Sequence, residues 1–201
     1  MIRRIAGDVS GLPASGFGAR TLIWWGMLGF ILIEGGGFAL GSGSYLFLMS
    51  HTTPWPPHHL PPSLLLSGLF TAVLLLSEIP NVLTRRAALA QNEGATQTGV
   101  IVMSLLGLVL VAIRWFELQG LNVRWDDNAY GSIVWALLFL HTTHVVTDLA
   151  DTIVLAIFTF THEVDTDRFS DAADNCMYWH FVVIAWLPIY ALVYWVPRLV
   201  G

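Results

Sequence analysis

Residues 132–160 read SIVWALLFLHTTHVVTDLADTIVLAIFTF, an apolar run that contains a few polar side chains. A helix needs about 20 apolar residues to cross the ~30 Å hydrocarbon layer of a bilayer, and this run is longer. Its ionisable side chains are His141, His144, Asp148 and Asp151. Because an ionisable group inside a membrane is costly, we expect a spanning helix whose polar groups face protein or water rather than lipid.

Further apolar runs on both sides of this one predict the same kind of element. The composition agrees, because 55% of the residues are hydrophobic and only 11% are charged, which is more apolar than an ordinary soluble domain. We therefore predict an all-α polytopic membrane protein, a bundle of five transmembrane helices in a single domain over residues 1–201. The predicted spans lie near 22–49, 64–83, 99–118, 132–160 and 178–196.

The polar residues exclude several classes of protein. The single cysteine, Cys176, allows neither an intrachain disulfide nor a cysteine-rich metal site. Lysine is absent, which excludes Schiff-base chemistry, and a net charge of −5 provides no basic face for nucleic acid. The sequence also lacks the common nucleophile, phosphate-binding, zinc-protease and dinucleotide-binding motifs. It therefore contains no evident catalytic constellation.

The placement of the arginines predicts the orientation in the membrane, because cytoplasmic loops are enriched in positive charge. Arg3, Arg4, Arg20, Arg85, Arg86 and Arg168 fall on one side, against Arg114, Arg124 and Arg198 on the other. We expect the amino terminus in the cytoplasm and the carboxyl terminus in the periplasm. Nothing at the amino end looks like a cleaved signal peptide, so the first span is the expected insertion signal.

The connectors between spans are predicted to lie outside the membrane. Residues 51–62, HTTPWPPHHLPP, contain prolines that favour an extended, external path. Their histidines could bind a metal, but without a carboxylate or cysteine frame a polar loop is favoured. Residues 84–98 are interpreted as a polar linker, and residues 161–177 as an acidic loop on the inner side.

Small residues form two stripes along the first span. Gly35, Ala39 and Gly43 are spaced by four residues, and Gly37 and Gly41 are offset from them by two. Small residues let another helix approach closely in a membrane. The stripes predict either a docking face for another subunit or packing inside this chain's own bundle, and the sequence leaves both open.

Glu34 lies near the membrane midplane, since it is about twelve residues into the first span at ~1.5 Å per residue. An unpaired carboxylate there would be expensive, so we expect it to be protonated or hydrogen-bonded. It either passes protons and lines a polar cavity, or bonds a neighbouring helix, and the sequence favours the second slightly. Glu78 precedes Pro80 and is assigned no role beyond contact with backbone freed by the proline.

The ionisable residues of the fourth span lie within about 80° of one helical face. One interpretation is a metal site, because imidazole and carboxylate suit several transition metals. The other, which we favour, is that His141 and His144 bond Asp148 and Asp151 on successive turns. Metal sites usually draw ligands from more than one helix, so we predict none here.

A haem held by two histidines is also disfavoured. His144 is expected near mid-membrane and His180 close to the inner face, a difference of roughly 8 Å or more. Two axial ligands need the same level on facing helices, so we predict no haem in this chain. The aromatic residues around His180 are interpreted mainly as anchors at the membrane interfaces. They are Tyr178, Trp179, Phe181, Trp186, Tyr190, Tyr194 and Trp195.

Three sequence blocks resemble subunit III of the haem-copper terminal oxidases, the family of cytochrome c oxidase and quinol oxidase. GMLGFILIE at 26–34 is similar to the family's helix with a membrane-buried glutamate. YGS at 130–132, followed by LHTTHV at 140–145, is similar to the family's Y-G-S…F-H-G-x-H-V segment. YWHFV at 178–182 resembles the family's Y-W-H-F-V-D-V-V-W. The order and spacing of these blocks agree with the family over nearly the whole chain.

The resemblance implies a five-helix, non-redox subunit III of a bacterial aerobic terminal oxidase, most closely the cytochrome c type. In this family the haems and copper belong to subunits I and II, while subunit III packs on subunit I and binds phospholipid. Subunit III supports proton uptake and protects the dioxygen-reducing site from inactivation during turnover. The chain is therefore expected in a hetero-oligomer of the bacterial inner membrane, with bound phospholipid and no cofactor of its own.

The matching positions are expected to contact lipid or pack helices, and they are Glu34, His141, His144, Trp179, His180 and Phe181. We add Asp148 and Asp151 as polar groups of the same face. Many family members have seven helices, with a lipid cleft between the first two and the other five. This chain corresponds to the family from the third helix onward, so another chain is expected to complete that cleft.

Some positions depart from the family pattern. Asp148 stands where a glycine is usual, Val183 replaces an aspartate and Ala173 replaces a common glutamate. We expect Asp148 and Asp151 to supply charge lost at those positions. Replacing both with asparagine should reduce retention of this chain in the purified complex, and unchanged retention would refute the idea.

Two other functions fit the sequence less well. One is an accessory or assembly protein of a related nitric oxide reductase, which shares the subunit III pattern. The other is an independent membrane metalloenzyme that uses the histidine and aspartate stripe of the fourth span. Partner chains would separate the first from an oxidase subunit, and metal analysis of the isolated chain would decide the second.

Overall fold

The chain folds as a bundle of long helices in the computed structural model, which describes residues 22–57, 60–161 and 166–200. The helices are α1 (Leu22–His51), α2 (Leu64–Leu89), α3 (Glu93–Gln119), α4 (Ala129–Thr161) and α5 (Thr166–Tyr190), then a π-helical turn (Ala191–Trp195) and α6 (Val196–Val200). Within these described ranges, five helical stretches are long and apolar enough to cross a membrane. The predicted fold class is confirmed.

Two predicted linkers are largely helical, so those predictions are wrong. α2 continues to Leu89 and α3 begins at Glu93, which leaves residues 90–92 as the connection instead of 84–98. The polar residues there lie on extensions of the two helices, with Arg86 exposed but Thr84 and Thr96 buried, and polarity alone does not end a helix. The turn is tight because Gln91 adopts a left-handed φ of 53°. Asn92 then caps α3 by accepting a hydrogen bond from the Ala95 amide at 3.2 Å.

The acidic segment 161–177, predicted as a loop on the inner side, is also largely helical. α5 begins at Thr166, well before the predicted start of the last span at residue 178. Ala172 and Ala173 are buried and pack with Ala88 of α2. The segment predicted as an inner loop is thus mainly the first turns of α5, and residues 162–165 lie outside the described part of the chain.

The proline-rich connector is anchored in the core rather than purely external. Trp55 is buried, and its indole Nε1 donates to the Tyr45 hydroxyl at 3.0 Å. The Trp55 ring also lies 4.9 Å from the ring of Tyr130, edge to face. These contacts fix the path of the chain from α1 to α2. His58 and His59, considered above as metal ligands, lie outside the described residues.

α1 is the outermost helix of the bundle. It packs mainly on α4 and α5, and only Phe38 and Tyr45 on it are fully buried. α2 packs on α3 and α5, and α3 also packs on α4. Most of the surface of α1 therefore faces whatever surrounds the bundle.

The small-residue stripes of α1 divide between the two interpretations. A Cβ at Gly41 would lie 2.8 Å from Leu137 of α4, and one at Gly35 would lie 3.7 Å from Phe181 of α5. By contrast, a Cβ at Gly37 or Gly43 would meet nothing within 4 Å, and Ala39 is exposed. Gly41 and Gly35 thus serve packing inside the chain, while docking of another helix at the exposed positions stays a prediction.

Candidate functional site

A hydrogen-bonded cluster joins α1, α4 and α5, and we call its three residues, Glu34, His144 and Tyr178, the Glu34 cluster. The Tyr178 hydroxyl donates to Glu34 Oε2 at 2.7 Å. His144 Nε2 lies 3.3 Å from Glu34 Oε1, and His144 Nδ1 lies 2.6 Å from the carbonyl of Leu140. The expectation that Glu34 bonds neighbouring helices thus matches the geometry.

The two ring nitrogens of His144 face different groups. The Leu140 carbonyl can only accept, so His144 Nδ1 donates to it in this geometry. His144 Nε2 lies on the other side of the ring, 3.3 Å from Glu34 Oε1. The cluster thus places an imidazole of α4 beside a carboxyl group of α1, and polar contacts of this kind lower the cost of burying both groups.

Aromatic rings cover one side of the Glu34 cluster. The Phe38 ring lies 4.8 Å from the His144 ring and 6.0 Å from the ring of Phe181. The Phe30 ring stacks on Tyr178 at 5.9 Å. Phe181, singled out in the sequence, thus packs against both His144 and Tyr178 of the cluster.

The other side of the cluster opens into a cavity of about 290 Å³ between α1 and α4. A second cavity of about 270 Å³ adjoins it, since Met27 and Asp151 line both. The remaining wall of the first cavity is contributed by Phe30, Thr143, Thr147 and Asp148 together with the cluster itself. Both volumes are far larger than the ~30 Å³ of a water molecule, so the groove can admit a larger polar group.

The two aspartates of α4 line this groove but do not pair with the histidines, so the favoured interpretation of that stripe is wrong. Asp148 is 2% exposed, and its Oδ1 accepts from Asn175 of α5 at 3.5 Å. Asp148 Oδ2 has no hydrogen-bond partner among the described residues. Asp151 is exposed. If an adjoining chain donates a hydrogen bond to Asp148 Oδ2, the Asp148→Asn/Asp151→Asn variant should be retained less well in the complex.

His141 serves a different contact from His144. Its Nε2 lies 3.1 Å from the Val182 carbonyl of α5, and its ring lies 4.8 Å from that of Trp186. His141 is completely buried, whereas His144 turns toward Glu34. Within the described ranges there is no group of three or more histidine, cysteine or acidic side chains placed to hold a metal ion.

Most of the aromatic residues of the last span are core residues, so their interpretation as interface anchors is wrong. Trp179 is buried and donates from Nε1 to the Ser77 hydroxyl at 2.9 Å. Trp186 is buried and donates to the Thr71 hydroxyl at 2.8 Å. Each ties α5 to α2. Trp195 remains exposed, as an anchor would be.

His180 and Glu78 form a further contact between α5 and α2. His180 Nδ1 lies 2.8 Å from Glu78 Oε2, with the histidine side chain largely exposed. The sequence predicts no side-chain partner for Glu78, because the direction in which Glu78 points from α2 depends on how α2 packs against α5. The contact adds a polar link at this level of the bundle.

A second polar cluster, missed from the sequence, is buried between α3 and the π-helical turn after α5, and we call its three residues, Arg114, Glu117 and Tyr194, the Arg114 cluster. Arg114 is 1% exposed, and its Nη1 donates to Glu117 Oε2 at 2.8 Å. The Tyr194 hydroxyl donates to the other Glu117 oxygen. The guanidinium lies 3.8 Å from the ring centre of Phe70 and 4.2 Å from that of Trp186, a cation–π arrangement.

A local signal for the Arg114 cluster existed in the sequence. Arg114 and Glu117 are separated by three residues inside the predicted span 99–118, so they share one helix face. The position of Arg114 near the end of that span favoured a charge at the outer surface instead. Tyr194 reaches the pair from the π-helical turn Ala191–Trp195, which directly follows α5.

Comparisons with known proteins agree with the motifs quoted above. A family model described as cytochrome c oxidase subunit III matches residues 45–197. Cytochrome c oxidase subunit 3 of Artemia franciscana is 30% identical over 190 residues, covering 90% of this chain and 70% of the relative. The protein of the same name from Synechocystis sp. is 27% identical over 183 residues, covering 88% and 77%. That of Drosophila yakuba is 26% identical over 182 residues, covering 85% and 68%.

Proposed function

The chain belongs to the cytochrome c oxidase subunit III family, and from this premise we propose that it is the non-redox subunit III of a bacterial aerobic terminal oxidase. The family and the spanning helices make it a multi-pass membrane protein and part of an oxidase complex. The cyanobacterial relative supports a bacterial oxidase of the cytochrome c type. In the proposed orientation the amino terminus is cytoplasmic and the carboxyl terminus periplasmic, as the arginine distribution favours.

In this proposal the chain contributes no electron-transfer group. It packs on subunit I, and the haems and copper belong to subunits I and II. Several polar side chains buried in its spans join different helices, as with His141 on the Val182 carbonyl and Trp179 on Ser77. Such contacts give a rigid surface that a neighbouring subunit can pack against.

The groove beside the Glu34 cluster is the proposed phospholipid site. Met27 and Phe30 supply apolar wall for acyl chains, while Thr143 and Thr147 add polar lining beside the cluster. The exposure of α1 leaves this groove accessible from outside the bundle. The observation that carries the proposal is the opening of the Glu34 cluster into a groove with both kinds of lining.

The same cluster supports a role in proton uptake. Glu34 and His144 lie 3.3 Å apart beside the groove, and Asp148 and Asp151 line its wall, so ionisable groups follow one another along it. A bound lipid would exclude bulk water and keep this polar face ordered during turnover. Sustained proton delivery to subunit I and protection of its dioxygen-reducing site are the proposed results.

Removing this chain from the reconstituted oxidase tests the proposal directly. Oxygen consumption should begin at the normal rate and then decay over successive turnovers, because the proposed role is to sustain rather than perform the reaction. The measurement is oxygen uptake with time by the purified complex, with and without the chain. Identical long-term activity of the two preparations would overturn the proposed role.

Single substitutions in α1 test whether the groove beside the Glu34 cluster is responsible for the sustained activity. Glu34→Ala removes both bonds of the carboxylate to α4 and α5 and should give an intermediate rate of decay. Ser44→Ala is the matched control, since Ser44 is exposed on the same helix and bonds only its own backbone. A Glu34→Ala complex that assembles normally and decays no faster than the Ser44→Ala complex would separate the groove from the function.

A further inference from the structure

A separate cavity, also lined by charged side chains, lies on another face of the bundle, between α2 and α5. Its volume is about 310 Å³. It shares no lining residue with the groove between α1 and α4. The residues around it are Asn81, Val82, Arg85, Cys176, Met177 and His180. We call it the α2–α5 pocket.

Arg85 brings an uncompensated positive charge to the α2–α5 pocket. It is half-buried and makes no hydrogen bond or ion pair with any described residue. Glu78, on the same helix, is already engaged by His180 at 2.8 Å. A guanidinium has five donors and stays protonated, so a half-buried one favours an anion with several oxygens.

Asn81 lines the same pocket and carries an unused acceptor just beneath its surface. The residue is 2% exposed, and its Nδ2 donates to the Cys176 carbonyl at 3.0 Å. Its Oδ1 is buried and accepts no hydrogen bond from the described residues. A buried amide oxygen without a donor costs free energy, so a small shift of the Asn81 side chain toward a ligand hydroxyl or ammonium group would be favourable.

The level of the pocket in the bundle is that of a lipid headgroup. Arg85 lies one helical turn, about 6 Å, before the end of α2 at Leu89. From the pocket toward the middle of the bundle, the exposed side chains are apolar, with Ile79 on α2 and Ile184 on α5. A positive site at the end of a span with an apolar surface next to it matches a phosphate joined to acyl chains.

We propose that the α2–α5 pocket binds a phospholipid, with its phosphate on Arg85 and a headgroup hydroxyl or ammonium on Asn81 Oδ1. The acyl chains lie along Ile79 and Ile184. This site is distinct from the groove beside the Glu34 cluster, and it does not depend on the proposed role in turnover. Free phosphate could satisfy Arg85, but it would leave the apolar surface unused.

The test uses the purified oxidase complex containing the full chain, after mild detergent has removed loosely bound lipid. Phosphatidylglycerol is titrated into the complex, and the bound lipid is counted by native mass spectrometry. Arg85→Gln should weaken one binding event about tenfold, because it removes the charge-assisted hydrogen bonds to the phosphate. Arg85→Lys, which keeps the charge but loses the bidentate fork, should be intermediate.

Arg86→Gln is the matched control. Arg86 is adjacent and exposed, carries the same charge and does not line the pocket. It should leave the affinity unchanged, and millimolar inorganic phosphate should not displace the lipid. Equal losses for Arg85→Gln and Arg86→Gln would mean general surface electrostatics, and displacement by phosphate would mean a free-anion site. Either result, or unchanged binding in Arg85→Gln or Arg85→Lys, would overturn the proposal.

Discussion

Arg114→Met should destabilise the protein by about 3–5 kcal/mol, the range for removing one partner of a buried ion pair. The variant leaves the Glu117 carboxylate buried without its cation, facing only the Tyr194 hydroxyl. It also removes the stacking of the guanidinium between Phe70 and Trp186. Thermal unfolding of the solubilised complex and the amount of chain retained in it measure the loss.

Removing the whole Arg114 cluster should cost much less than removing Arg114 alone. In Arg114→Met/Glu117→Leu no buried charge remains, and the main deficit is the Tyr194 hydroxyl without its acceptor. Adding Tyr194→Phe should recover about 1 kcal/mol of the lost stability, because the unpaired hydroxyl is removed as well. This order of stabilities follows from the desolvation cost of buried charges.

Arg124→Met is the control for loss of a positive charge. Arg124 bonds Asp126 at 3.0 Å, but its side chain is 73% exposed, and exposed pairs contribute little. The hydrogen bond from Arg124 lowers the pKa of the Asp126 carboxyl group. When that bond is lost, water can bond the exposed Asp126 carboxylate instead. Unfolding should be unchanged. If Arg114→Met were as mild as Arg124→Met, or the triple variant were the least stable, the described electrostatics of the cluster would be wrong.

The fold could be predicted because a bilayer allows few alternatives. Inside hydrocarbon each backbone group must be bonded within its own segment, so an apolar run of sufficient length becomes a helix. Outside the hydrocarbon layer, water can bond the backbone and this constraint no longer applies. Residues 84–89 and 166–177 are polar but helical, because in water the outcome depends on helix propensity and on contacts such as Ala88 with Ala172.

The candidate site could be predicted only in part. Its depth follows from position along each span, which places Glu34 and His144 inside the bundle. Its partners do not, because they depend on how each helix is rotated and tilted against the next. Tyr178 was therefore interpreted as an interface anchor, although its hydroxyl bonds Glu34. Arg114 was counted as a surface charge for the same reason.

Gly131→Ala should destabilise the start of α4 by at least the ~1–3 kcal/mol typical of overpacking. A Cβ at this position would collide with the carbonyl oxygen of Arg124 and lie 2.9 Å from Val123 Cγ2. The carbonyl belongs to the backbone, so no side-chain rotation can relieve the contact. The loop cannot withdraw easily either, because Trp135 Nε1 donates to the Val123 carbonyl at 2.8 Å.

The same substitution at Gly37 separates this steric effect from a general preference for glycine. A Cβ at Gly37 would meet nothing within 4 Å, and alanine has a higher helix propensity than glycine, so Gly37→Ala should be neutral or slightly stabilising within this chain. Parallel thermal unfolding of the two variants in the solubilised complex measures the difference. A large loss at Gly37 would instead mean that another chain packs against the exposed stripe of α1, and equal effects at both positions would contradict the close approach of the 123–128 loop to α4.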